Sequence, residues 1–158
     1  MVFLLAQDPY LLDFRPADPK IAQVEMYDVQ DHEISVDGVV SITNAKQAIR
    51  FANRDELYGV DALLRRDGFI NSLRADKGIL KNNVVYLEGD VRYVRNDGIT
   101  FESTAVEYHR NKDILKGNVP FVLSDTHNKT LGNSFIYRIK EGLIEANNIH
   151  ATLETEKR

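Results

Sequence analysis

The chain has no cysteine, which excludes disulfides and thiolate metal sites. Zero cysteine does not fix a compartment, but it suits an oxidising one, where stray thiols are a liability. Basic clusters are missing as well. The formal net charge is −4, and the nearest thing to a basic run is the pair Arg65-Arg66. Attraction to phosphate needs a basic face, so a general nucleic-acid binder is disfavoured. Long apolar runs are also absent. The chain opens with six apolar residues, Met1 to Ala6, where a bilayer span takes roughly 20. The start of a signal peptide would be basic, and this one is not. Two readings fit this stub: a frayed hydrophobic end, or the last turns of a membrane anchor.

Proline is scarce and unevenly placed. Three of the four prolines, Pro9, Pro16 and Pro19, fall within residues 7–20. Their missing donors and restricted backbone predict a linker or irregular arm. Pro120 sits in a strand-like run and predicts an edge or bulge there. Catalytic signatures are lacking: the chain has no GxSxG, P-loop, GxGxxG or HExxH. His32, His109, His127 and His150 have no metal-ligand spacing, and Asp90, Glu102 and Glu107 do not single out an acid–base pair. An enzyme is not expected, and no cofactor is implied.

What is present is a repeat. At 158 residues, 43% hydrophobic and 28% charged, the chain is expected to fold as one domain. From residue 21 onward it reads as β. Asp-Gly, a strong hairpin signal between alternating apolar residues, occurs at Asp37-Gly38, Asp67-Gly68 and Asp97-Gly98, spaced by 30 and 30. An alanine follows each glycine by seven residues, at Ala45, Ala75 and Ala105. A Leu-x-Gly follows later, ending at Gly59, Gly89 and Gly117, with offsets of 21, 21 and 19. A weaker copy begins at Glu141-Gly142. Such a period marks a repeat architecture. Thirty residues hold two strands of about ten plus two turns, so eight to ten or more long antiparallel strands are expected.

Alternation places the odd positions Val85, Leu87, Val91, Tyr93, Leu115, Val119, Phe121 and Leu123 on one apolar face, continued by Leu131, Phe135, Tyr137 and Ile139, then Ile149, Ala151 and Leu153. One stretch resists this pattern. Ala45, Ala48, Ile49 and Ala52 have helical spacing, but the repeat register predicts strand there. An apolar-faced sheet must bury that face. A packed β-sandwich does so, and so does a twisted open jelly roll, V-shaped in section, that holds an apolar ligand. Gly89 and Gly117 on the apolar register weakly favour the second.

The stretch Leu73 to Tyr93 contains Ala75-Asp76-Lys77, a polar turn, and then Leu87-x-Gly89-x-Val91. It resembles the signature region of the LptC family of the lipopolysaccharide export bridge. Leu115-Lys-Gly-Asn-Val119, and then Leu131, Gly132 and Phe135, are similar to that family's C-terminal half. The likeness covers about residues 25–153 and extends to the related LptA proteins. It implies a β-jelly roll at 21–153, after an anchor remnant at 1–6 and a linker at 7–20, with a charged tail at 154–158. It implies a periplasmic domain anchored to the inner membrane. Such a domain takes lipopolysaccharide from the LptB, LptF and LptG transporter at its N-terminal edge and passes it to LptA at its C-terminal edge. Val85, Leu87, Val91, Tyr93, Leu115, Val119, Phe121, Phe135 and Tyr137 are the expected groove lining. Gly132, Ile149 and Leu153 are the expected partner edge. A soluble LptA-like bridge protein and a structural β-repeat with a dry core are the alternatives.

Overall fold

The computed structural model describes residues 18–138 and 140–153. The expected anchor remnant, most of the expected 7–20 linker, Ile139 and the expected charged tail at 154–158 lie outside the described residues. Within them the chain is all-β, and no helix is long and apolar enough to cross a membrane. Six long strands come first: β1 (Val24–Ser35), β2 (Gly38–Arg50), β3 (Asp55–Arg66), β4 (Phe69–Lys81), β5 (Val84–Arg95) and β6 (Thr100–His109). Six short ones follow: β7 (Ile114–Gly117), β8 (Phe121–Ser124), β9 (Asn128–Gly132), β10 (Ser134–Arg138), β11 (Leu143–Asn147) and β12 (His150–Leu153). All pair antiparallel in one open sheet.

Strands β1 to β6 are neighbours in chain order. Beyond β6 the sheet divides. β7 pairs with the second half of β6 and leads to β10 and β11, while β8 pairs with its first half and leads to β9 and β12. The short strands are therefore halves of three long ones, β7 with β8, β9 with β10 and β11 with β12. The missing N–H of Pro120 falls in the first of these breaks.

The long strands bend at their middles, along one line. Asp28, Gly59, Gly89, Asp90 and Asn148 have positive φ there. The β4–β5 register shifts between Arg74 and Lys77, and the β5–β6 register between Glu88 and Val91. Extra residues of this kind are β-bulges, which kink a strand and increase its twist. The sheet folds along the crease into two wings. Val85, Leu87, Val106 and Phe135 from one wing share a core with Ala75, Val91 and Phe121 from the other. The hairpin tips follow their chemistry. Asp67 and Gly68 both have positive φ, as do Asn82 and Asn83, the geometry that two-residue hairpin turns require.

The crease accounts for the helical spacing in β2. Inward side chains alternate along each wing, but at most bends they step by three instead of two. Buried pairs of this kind are Ala45 with Ala48, Leu57 with Val60 and Ala75 with Gly78. A bent strand mimics one helical turn at its bend.

Two expectations need correction. The third copy of the repeat is out of step. The β5–β6 loop is longer than the two-residue Asp67-Gly68 turn, so Ser103, opposite Phe121, takes the crease place that Ala75 holds, while Ala105 falls two residues away. Gly59 and Gly89 are crease residues with positive φ, whereas Gly117 lies inside β7 without it. Leu131 does not share the face of Phe135. The bend at Asn133 flips the alternation, so Leu131 points outward and Gly132 inward.

Candidate functional site

The interior between the wings is the candidate site, and its character changes along the sheet. Nearest the crease it is apolar and closed, with Ala48 at 0% exposure and Leu57, Val60, Ala75, Leu87 and Val91 all buried. Farther out from the crease the two ends differ. Over β4 to β10 most outer positions are apolar and half-buried, namely Leu73, Leu80, Tyr93, Phe101, Tyr108, Leu115, Leu123 and Tyr137, with Asn71 and Thr130 as polar exceptions. Over β1 and β2 one wing turns polar side chains inward, while β3 keeps Ala62 buried and Leu64 half-buried. Asp31, Ser41 and Thr43 are buried, Glu33 accepts a hydrogen bond from the Ser41 hydroxyl at 3.3 Å, and Arg50 pairs with Asp55 at 2.8 Å. In that wing the apolar lining therefore begins at β3.

Its aromatic end is built on two glycines. Phe135 lies opposite Gly117, and Phe121 opposite Gly132, in adjacent strands. A Cβ at Gly117 would stand 2.6 Å from Phe135 Cε1, and one at Gly132 would stand 2.5 Å from Phe121 Cε1. The rings therefore lie flat against their own wings, covering glycines that have no side chain to pack. They still meet across the gap. Phe135 is edge-on to Phe101 at 5.0 Å and to Phe121 at 5.3 Å, while Phe101 stacks with Phe121 at 5.8 Å. Such pairs hold about 0.5–1.5 kcal/mol beyond their area burial.

Polar tips edge the mouth. The Tyr93 hydroxyl donates to the Asn71 side-chain carbonyl, and Asn71 donates to the Leu64 carbonyl at 3.2 Å. The Tyr108 hydroxyl donates to Asp113 at 3.0 Å. Burial pushes both phenols up from their ordinary value, and for Tyr108 the Asp113 hydrogen bond adds to the shift. Each ring thus offers an apolar body to the interior and a hydroxyl held by a hydrogen-bond partner at the rim.

The structure brings most of the expected lining together. Val85, Leu87, Val91, Phe121 and Phe135 are core residues, and Leu115 packs against them. Tyr93 and Tyr137 are half-buried in the same interior. Val119 stands apart, half-buried in the bend between β7 and β8. At the proposed partner edge, Leu153 lies on the terminal strand and Ile149 in its bend, while Gly132 is one strand in, paired with Phe121. Sequence reasoning missed the polar inner positions of β1 and β2. Their signal was the alternation Val29-x-Asp31-x-Glu33 against Ser41-x-Thr43-x-Ala45, an alternating strand with polar residues on its inner side.

The sheet has two open edges among the described residues. β1 pairs only with β2, and the β11–β12 strand pairs only with β10 and β9. The inward side chains of the terminal strand have no neighbouring strand beyond them, leaving Ile144 50%, Ile149 52% and Leu153 69% exposed. The described residues hold no group of three or more His, Asp or Glu placed to share a metal ion. Compared with known proteins, the chain matches no family model and no curated protein.

Proposed function

We propose that this chain is a lipid-conduit module of the lipopolysaccharide export bridge, of the LptC type, periplasmic and held at the inner membrane. The observation that carries this reading is the open edge that β11 and β12 form among the described residues. An apolar interior runs to an open edge and leaves Ile144, Ile149 and Leu153 uncovered there. Apolar area of that kind is costly to leave in water and is relieved by a further strand that continues the same interior. In this reading the acyl chains lie along the half-buried row of Leu73, Leu80, Leu115 and Leu123, and the sugars stay outside the mouth. Burial is non-directional, so a sliding lipid is held without a fixed pose. The LptB, LptF and LptG transporter supplies lipid at β1, and LptA receives it at β11–β12.

The packed crease and the Phe101–Phe121–Phe135 cluster favour a second reading, a structural β-repeat with a dry core. One experiment separates the two. A photo-crosslinking side chain at Leu115 or Leu123 captures lipopolysaccharide during ATP-driven export if the interior is a conduit. Adducts at neither position, with the protein correctly folded, leave the dry-core reading.

A further inference from the structure

The three Asp-Gly tips share a dipeptide but not a geometry. A β-turn closes with the N–H of its fourth residue on the carbonyl of its first. At two tips the glycine is that fourth residue. Gly98 N–H donates to the Arg95 carbonyl at 3.0 Å, and Gly38 forms the closing pair of β1 and β2 with Ser35. At the third tip the closing pair is Arg66 with Phe69. Asp67 and Gly68 are then the two central residues, with φ 52 and 80, and the Gly68 N–H stands outside the ladder.

This difference bears on a reaction of aspartyl-glycine. The glycine nitrogen attacks the aspartate Cγ, and a new N–Cγ bond closes a five-membered succinimide. One carboxyl oxygen leaves as water, taking the amide proton and a proton from solvent. Water then opens the ring. Attack at the side-chain carbonyl restores aspartate. Attack at the main-chain carbonyl leaves isoaspartate, in which the main chain runs through Cβ and Cγ and is one carbon longer. The reaction needs a glycine nitrogen that is not committed to a hydrogen bond, and a carboxyl that is not held.

The carboxyls differ in the same sense as the amides. Asp97 is gripped by Arg95, with Nε at 2.8 Å and Nη2 at 2.7 Å. That pair keeps the Asp97 carboxyl below its ordinary value, in the ionised form that resists attack. The Asp67 side chain is 86% exposed, and Arg66 Nε lies 3.7 Å from it, an exposed ion pair that holds a carboxylate only weakly. Nothing stands within 4 Å of a Cβ position on Gly68, so the ring has room to form. Asp37 is exposed as well, but its neighbour's amide is committed to the closing pair.

We propose that Asp67 is a covalent modification site, the tip at which this chain isomerises through a succinimide to isoaspartate, ahead of Asp37 and Asp97. Only water is consumed and released. The extra main-chain carbon falls between Arg66 and Phe69, so the two-residue left-handed turn is lost and the freed α-carboxylate stands at the tip of the β3–β4 hairpin.

The test keeps the full chain folded for weeks in heavy-oxygen water at neutral pH. Each passage through the ring places a heavy oxygen in that aspartate. Peptide mass spectrometry locates the label, and fragmentation separates isoaspartate from aspartate. Residue 67 should gain label and isoaspartate roughly tenfold faster than residue 97, and faster than residue 37, because the other two tips must first break a hydrogen bond or an ion pair. In guanidinium the three rates should converge, since the folded geometry is gone. Asp67→Glu, whose ring would be six-membered and slower to close, should remove the product from that hairpin. Label at residue 37 or 97 that keeps pace with residue 67 in the folded chain overturns the proposal. So does a residue 67 that stays unlabelled while the unfolded chain reacts, or a rate order that persists unchanged in guanidinium.

Discussion

At the scale of single residues, Gly132 matters for the side chain it lacks. The Phe121 ring occupies the space a Cβ would take. Gly132→Ala forces that ring off its wing and into Phe101 and Phe135, and overpacking of this sort costs about 1–3 kcal/mol. Chemical denaturation should register the loss, and an unchanged midpoint would show that the ring has room to move. Glu56 is a second such residue, on the outer face. It accepts from Arg54 Nε at 2.6 Å and from the Tyr58 hydroxyl at 2.6 Å, with Lys77 Nζ at 3.3 Å. Burial raises its pKa, but these three partners together outweigh burial and hold it below the ordinary 4.5. The stabilisation is therefore complete above pH 4.5 and is lost as pH falls through the lowered folded value. Glu56→Gln should flatten the acid limb of a stability–pH curve. Parallel limbs for wild type and variant would count against it.

At the scale of elements, the bend is what the sequence pattern concealed. Ala45 and Ala48 look helical because a folded strand buries residues three apart at its crease. Strand still wins in β2, since its backbone pairs on both sides with β1 and β3, and an isolated helical turn offers no such closure. Gly89 carries this bend in β5, at φ +73 with Asp76 pressed against the space of a Cβ. Gly89→Ala should cost at least about 1–2 kcal/mol from the left-handed backbone alone. The thermal midpoint would fall, and the loss should exceed that from Ala at Gly68, where nothing lies within 4 Å. Equal losses would mean that the crease adds no constraint beyond the backbone angle. Asp-Gly and Asn-Asn made the hairpin tips legible from sequence, because their backbone demands are local. The parity flips at Asn133 and between Ser103 and Val106 were not legible, because a bulge announces itself only through its partner strand.

For the whole molecule, the edges carry the functional argument. Ile149 and Leu153 project from the terminal strand where a partner would continue the interior. Ile149→Asp should weaken capture of an added LptA strand by about tenfold or more, since it sets an unpaired carboxylate in the new interior. Its effect on stability should be small, because the side chain is already half exposed. Undiminished capture would place the docking contact elsewhere. By itself, the sequence determined the all-β class, the paired-strand repeat and most of the apolar interior face, because alternation and turn chemistry act between near neighbours in the chain. Only the tertiary structure decided that the strands fold along one crease and that Gly117 and Gly132 sit beneath aromatic rings. Those features depend on which strand lies beside which, and on what lies across the fold, distances that no local pattern records.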